Sequence, residues 1–239
     1  MVLKDDALSS IVAAVEQGRV IFESIRKSVM FMLCTNVAEI LAVALAVAVG
    51  LPLPLRPLQI LFLNVVTDVF PALALGVGKG DRRVMQRRPR NPKESLLTPG
   101  HWLAIAGWSA LVAACVLGGL SVATFGLKLD TATAVTVSFL TLAFAKLWFV
   151  FNLRDSASRI WDNEMIRNGW IWEAIVLCAG LLLVAVYAPG LSTLLKTQPP
   201  GAAGWLCVLG MSLVPLMLGQ AVLIGRGLAR RPPPNPAEE

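Results

Sequence analysis

The chain has 239 residues, 56% hydrophobic and only 15% charged, with a mean hydropathy of +0.69. Its apolar residues come in long blocks and not in the spaced one-sided faces of a soluble domain, which excludes an ordinary globular fold. A net charge of +6 would suit nucleic acid, but the Lys and Arg collect between the apolar blocks, so the basicity reads as membrane topology and no nucleic-acid partner is expected.

The first thirty residues are not a signal peptide. They carry Asp5, Asp6, Glu16, Glu23, Arg19, Arg26 and Lys27, with no apolar core beside a small-residue cleavage site. Ile11, Val12, Val15, Ile21, Phe22 and Ile25 recur at helical spacing, so the segment predicts an amphipathic helix, with Gly18 as a candidate break. From Arg19 the pattern continues into the first apolar block, giving a helix of roughly 32 residues and roughly 48 Å at 1.5 Å per residue. Such a helix projects beyond a bilayer as a stalk.

Six blocks reach the length of about 20 residues needed to cross a hydrocarbon core: Val29–Val49, Leu58–Val77, Trp102–Phe125, Ala132–Leu153, Trp170–Pro189 and Ala203–Gly225. Short polar or Pro/Gly-bearing connections pair them into three hairpins. The expected fold is therefore all-α and polytopic, with a stalk segment 1–28, a six-helix membrane domain 29–225 and a tail 226–239. With the N-terminus in the cytosol, the four inner segments carry 4, 7, 3 and 3 Lys/Arg, whereas the outer loops keep only Arg56, Lys128 and Lys196. That bias predicts an integral multi-pass protein, lipid around it, both termini cytosolic.

Trp102, Trp170 and Trp172 begin spans on the predicted inner side, as an interfacial belt would. Cys34, Cys115, Cys178 and Cys207 lie in four different spans without CxxC spacing and read as small buried hydrophobes. His101 opens a span and is given no catalytic role. Gly118-Gly119 suits close helix packing.

The chemistry concentrates in the first hairpin. Glu39 is residue 11 of 21 in its span and Asp68 residue 11 of 20, and the loop Gly50–Pro57 is too short for anything but a turn. Two carboxylates therefore meet at one depth, where a charge is costly and usually functional. Asn36 shares a helix face with Glu39, and Asn64 and Thr67 share one with Asp68. Pro71 has no N–H for the carbonyl of Thr67, which frees a further oxygen. These are hard ligands, suited to calcium, sodium, magnesium or manganese. The bland alternative is that the same side chains only hydrogen-bond helices together.

TNVAEI (Thr35–Ile40), PLQILFLNVVTDVFPALALG (Pro57–Gly76) and MQRRPRNPKESLL (Met85–Leu97) resemble, in order and spacing, the fifth and sixth membrane helices and following loop of type II P-type cation-transporting ATPases. Upstream, Met1–Val29 is similar to the end of that family's phosphorylation domain and its stalk helix. The resemblance is mostly topological beyond Trp102. It implies that the chain corresponds to the last six of ten membrane helices, and that Asn36, Glu39, Asn64, Thr67 and Asp68 bind the transported cation, with calcium expected. A bacterial plasma membrane is the expected location. The residues after Asp68 are Val69-Phe70 where calcium pumps commonly read Gly-Leu, which implies a helix less easily unwound there. Lys146 lies near a position where relatives carry Glu, Gln or Asp. It either faces the site as a charge-compensating group or snorkels toward the interface near Arg154, roughly 12 Å along the helix.

The chain contains no DKTGT, TGES-like or GDGxND motif, so it supplies no phosphoryl-transfer machinery of its own. The resemblance implies that ATP and magnesium act through the family's actuator, nucleotide and phosphorylation domains, and that these and the first four helices are its partners. Alternatives are a non-enzymatic membrane module that kept the helices, or an inactive fragment.

Overall fold

The structure, a computed structural model, describes residues 8–78, 84–86, 95–154 and 163–229. The expected tail beyond residue 229, the first seven residues and most of the Met85–Leu97 motif lie outside the described residues.

Helix α1 (Leu8–Val49) runs unbroken for 42 residues, straight through Gly18. At 1.5 Å per residue it is about 63 Å long, twice a hydrocarbon core. Gly18 does not break it, because one helical glycine costs only about 1 kcal/mol against Ala and both flanks are strongly helical. Gly50 ends the helix. Its φ of 74° is left-handed, and it lets Leu51 N–H bond back to the Ala46 carbonyl at 2.9 Å.

Helix α2 spans Pro57–Val77, α-helical at Pro57–Leu63 and Val69–Val77 with a π turn, Asn64–Asp68, between them. The irregularity falls on the turn that carries Asn64, Thr67 and Asp68, and regular helix resumes at Val69, so the Val-Phe pair does not straighten what precedes it. Helix α3 occupies Pro99–Gly126 and α4 Thr131–Leu153, followed by α5 (Gly169–Tyr187), a short α6 (Pro189–Leu195) and α7 (Gly201–Ala229). Six of these seven helices are long and apolar enough to cross a membrane. The connection after α5 forms α6, started by Pro189 at its first position, and the last helix continues to Ala229.

Helix α4 is the hub. It is 89% buried across its apolar window, against 22% to 44% for the other five spans. Its hydroxyls suit that position: Thr136, Ser138 and Thr141 bond back to the carbonyls of Ala132, Ala134 and Val137, so none is left unsatisfied in an apolar interior. Around it, Phe139, Leu140, Leu142 and Leu147 anchor one core cluster, and Phe31, Phe149 and Ile171 another toward the stalk end. Outward-facing Ile40, Leu61, Leu73, Leu103, Val176 and Met217 are exposed on the bundle's perimeter, as lipid contact requires.

Helix ends show local devices. His101 accepts the Thr98 backbone N–H at 3.0 Å and so caps α3. Asp130 caps α4, accepting the Thr133 N–H at 3.2 Å and the Thr133 hydroxyl at 2.6 Å. These bonds hold its carboxyl below the usual range. A depressed native pKa gives stability that is present at neutral pH and lost as pH falls through the native value. Asp130→Ala should therefore lower the melting temperature at neutral pH, with the difference from wild type shrinking in acid. A mutant difference that does not narrow on acidification would contradict the cap.

Gly219 on α7 lies against α3 and α4 so closely that a Cβ there would run into the Trp108 ring and the Asn152 amide. Gly219→Ala should destabilise the bundle by about 1–3 kcal/mol through overpacking, read as a lower melting temperature in detergent.

Candidate cation site

Three spans bring the site together. Helix α1 supplies Glu39, the π turn of α2 supplies Asn64, Thr67 and Asp68, and the C-terminal part of α4 supplies Lys146. Glu39, Asp68 and Lys146 are 4%, 2% and 1% exposed, which removes the screening that makes surface ion pairs weak.

The ammonium of Lys146 is the centre of the arrangement. Its Nζ donates to Glu39 Oε2 at 2.8 Å and to Asp68 at 3.2 Å (Oδ1) and 3.4 Å (Oδ2), with Asn64 Oδ1 at 3.5 Å. Lys146 does not run toward the interface. Arg154, near the end of α4, is engaged with Gln220 on α7 at 2.8 Å.

By formal charge, two carboxylates and one ammonium leave the buried cluster one negative charge in excess. The three ammonium protons are directed to oxygens on two helices, yet Glu39 Oε1 is buried with no hydrogen-bond partner. A lone carboxylate oxygen in that position is costly, and it is the kind of atom a hard cation takes up.

The five oxygen-bearing side chains expected to converge do so only in part. Glu39, Asp68 and Asn64 meet at the Lys146 ammonium. Thr67 is fully buried, but its hydroxyl turns back to the Leu63 carbonyl at 2.9 Å and stands 3.5 Å from Asp68 Oδ1. Asn36 is half-buried one turn nearer the stalk and makes no hydrogen bond to the cluster among the described residues.

Sequence reasoning missed two contacts to the backbones of α1 and α2, the helices that carry Glu39 and Asp68. Ser109 on α3 donates to the Cys34 carbonyl on α1 at 3.0 Å. Cys178 on α5 donates to the Val66 carbonyl within the π turn at 3.0 Å. For the second contact, Pro71, three residues past the π turn, was the available signal, since its missing N–H leaves a carbonyl on that helix without its usual donor; nothing in the sequence signalled the first.

At the stalk end, Lys27 pairs with Glu164 at 3.0 Å and the Ser28 hydroxyl donates to the Ala72 carbonyl at 3.2 Å. Arg19 reaches the Val84 carbonyl at 3.1 Å. These contacts link α1 to α2, to the connection after it and to the connection before α5.

Comparison with known proteins agrees with this architecture. The family described as "Cation transporting ATPase, C-terminus" matches residues 52–224. The chain is 35% identical over 231 residues to the calcium-transporting ATPase of Bacillus subtilis (strain 168), covering 95% of this chain and 25% of that protein. It is 32% identical to calcium-transporting ATPase 1 of Bacillus cereus (95% and 27% covered) and 28% identical to a calcium-transporting ATPase of Listeria monocytogenes (94% and 25%). The chain thus spans about a quarter of the length of these relatives. With six spanning helices and a family match over most of its length, the chain belongs to the cation-transporting ATPases, as their C-terminal membrane domain.

Proposed function

We propose that this domain forms the ion-binding half of an ATP-driven calcium pump, with Glu39 and Asp68 as the anionic ligands and Asn36, Asn64 and Thr67 as neutral ones. The observation that carries the reading is the convergence of Glu39 and Asp68, from antiparallel spans, on one buried point. The orphaned Glu39 Oε1 and the calcium named for three relatives support it.

Lys146 acts as a tethered counter-cation. An arriving divalent ion competes with its ammonium for the same carboxylate oxygens, and the retained positive charge disfavours a second ion. One divalent ion per cycle follows. Phosphoryl transfer belongs to domains outside this chain, where ATP and magnesium act. Their movement pulls the stalk, Arg19–Ser28, and α1 then shifts Glu39 against Asp68, changing affinity between the two sides. The domain sits in a bacterial plasma membrane with both termini cytosolic.

The test is ion-stimulated phosphoenzyme formation from ATP by the full-length product of the gene that contains this chain. Calcium should stimulate it at lower concentration than manganese or sodium. Stimulation by sodium or manganese at lower concentration than calcium would reassign the cargo, and no cation dependence would retire the reading.

A further inference from the structure

The π turn Asn64–Asp68 creates a hydrogen-bonding deficit. Where a π turn returns to α-helix one carbonyl is left over, and Pro71, which has no N–H, leaves another. Both fall in the turn that carries Asn64, Thr67 and Asp68. Bulk water does not reach a membrane interior, so each needs a protein donor, an ordered water or a cation.

One donor is visible. Cys178, fully buried on α5, points its thiol at the Val66 carbonyl with sulfur and oxygen 3.0 Å apart. To donate, the sulfur must carry its proton. Helix α5 contributes no side chain to the cluster around Lys146, so the contact acts on the backbone of the ligand turn and not on a ligand itself. Helix α1 is gripped in the same manner. The Ser109 hydroxyl, fully buried on α3, donates to the Cys34 carbonyl five residues before Glu39.

We propose that Cys178 is a positioning residue for cation binding: its thiol occupies the Val66 carbonyl, fixes the π turn, and so aims Asp68 and Asn64 at the site. This rests on the cation-site reading above. A thiol is a weak donor, so the bond holds the turn without locking it, and α2 can still rearrange when α1 moves. The Thr67 carbonyl, the one opposite Pro71, stays available to the ion.

The test compares Cys178→Ala, which removes the donor, with Cys178→Ser, which keeps one, in the full-length gene product. Two readouts are taken. Amide hydrogen exchange of the peptide covering residues 64–70 should accelerate in Cys178→Ala and stay near wild type in Cys178→Ser, with other spans unchanged. The calcium concentration for half-maximal phosphoenzyme formation should rise about fivefold in the alanine variant, the scale of one hydrogen bond, and less than about twofold in the serine variant. Unchanged exchange in Cys178→Ala, or equal impairment of both variants, overturns the proposal. Faster exchange with unchanged calcium dependence also overturns it, because the bond would then be structural only. A wild-type protein that shows no cation dependence retires the functional reading instead, and the exchange comparison still decides whether Cys178 holds the turn.

Discussion

Glu39→Gln and Asp68→Asn should each raise the calcium concentration needed for phosphoenzyme formation by about a hundredfold or more, with the protein still inserted and folded. Each change removes one of the two carboxylates that meet at the buried cluster. In binding, truncating one partner of a buried, hydrogen-bonded charge pair costs about 2–5 kcal/mol, and about 1.4 kcal/mol is tenfold in affinity. Insertion is spared because neutralising a mid-membrane carboxylate removes a cost and does not add one. The two variants should differ in degree. Glu39 Oε2 makes the shortest bond to Lys146, at 2.8 Å, whereas Asp68 engages it through both oxygens at 3.2 and 3.4 Å. Phosphorylation that remains equally calcium-dependent in both variants would remove these residues from the site.

Lys146→Gln has the second large effect, and it runs in two directions. Without the ammonium, Glu39 and Asp68 face one another with only amides between them, and the cluster goes from net −1 to −2. In the absence of calcium the variant should be destabilised by about 3–5 kcal/mol, the usual consequence of leaving buried charge unpaired. Added calcium should restore most of that, because a ligand that binds only the folded state stabilises it in proportion to the logarithm of its concentration. The variant's melting temperature should therefore climb steeply with calcium while that of wild type climbs gently. Its stoichiometry should also rise above one ion per phosphorylatable site, since no built-in cation repels the second. Parallel melting curves and equal stoichiometry in both proteins would show that Lys146 has no part in ion binding.

The sequence made the scaffold legible because membrane physics leaves few choices. Apolar length marked six spans, short loops paired them, and mid-span placement put Glu39 and Asp68 at one depth. Depth is one coordinate only. The rotation of each helix about its axis was not readable, which is why Lys146 admitted two directions and why Asn36, on the face shared with Glu39 by spacing, makes no bond to the cluster. A clue to Lys146 was present in α4 itself. Thr133, Thr136, Ser138 and Thr141 fall around the helix on several faces, a pattern poorly suited to lipid and consistent with the burial observed on every side. Such a helix offers a lysine no lipid-facing route to the interface. The π turn was hinted at by Pro71, but the Cys178 thiol that meets its Val66 carbonyl lies 112 residues away in the chain, and a tertiary donor of that kind leaves no local signature. Gly18 failed as a breaker because its cost is small against the helical segments on either side.

The most direct test is equilibrium binding of radioactive calcium to the full-length gene product, counted per phosphorylatable site, in wild type and in Glu39→Gln. One ion per site in wild type and none retained at the same free calcium in the variant is the predicted result. Two ions per site in wild type, or undiminished binding in Glu39→Gln, would contradict a single-ion site built from Glu39, Asp68 and a tethered Lys146.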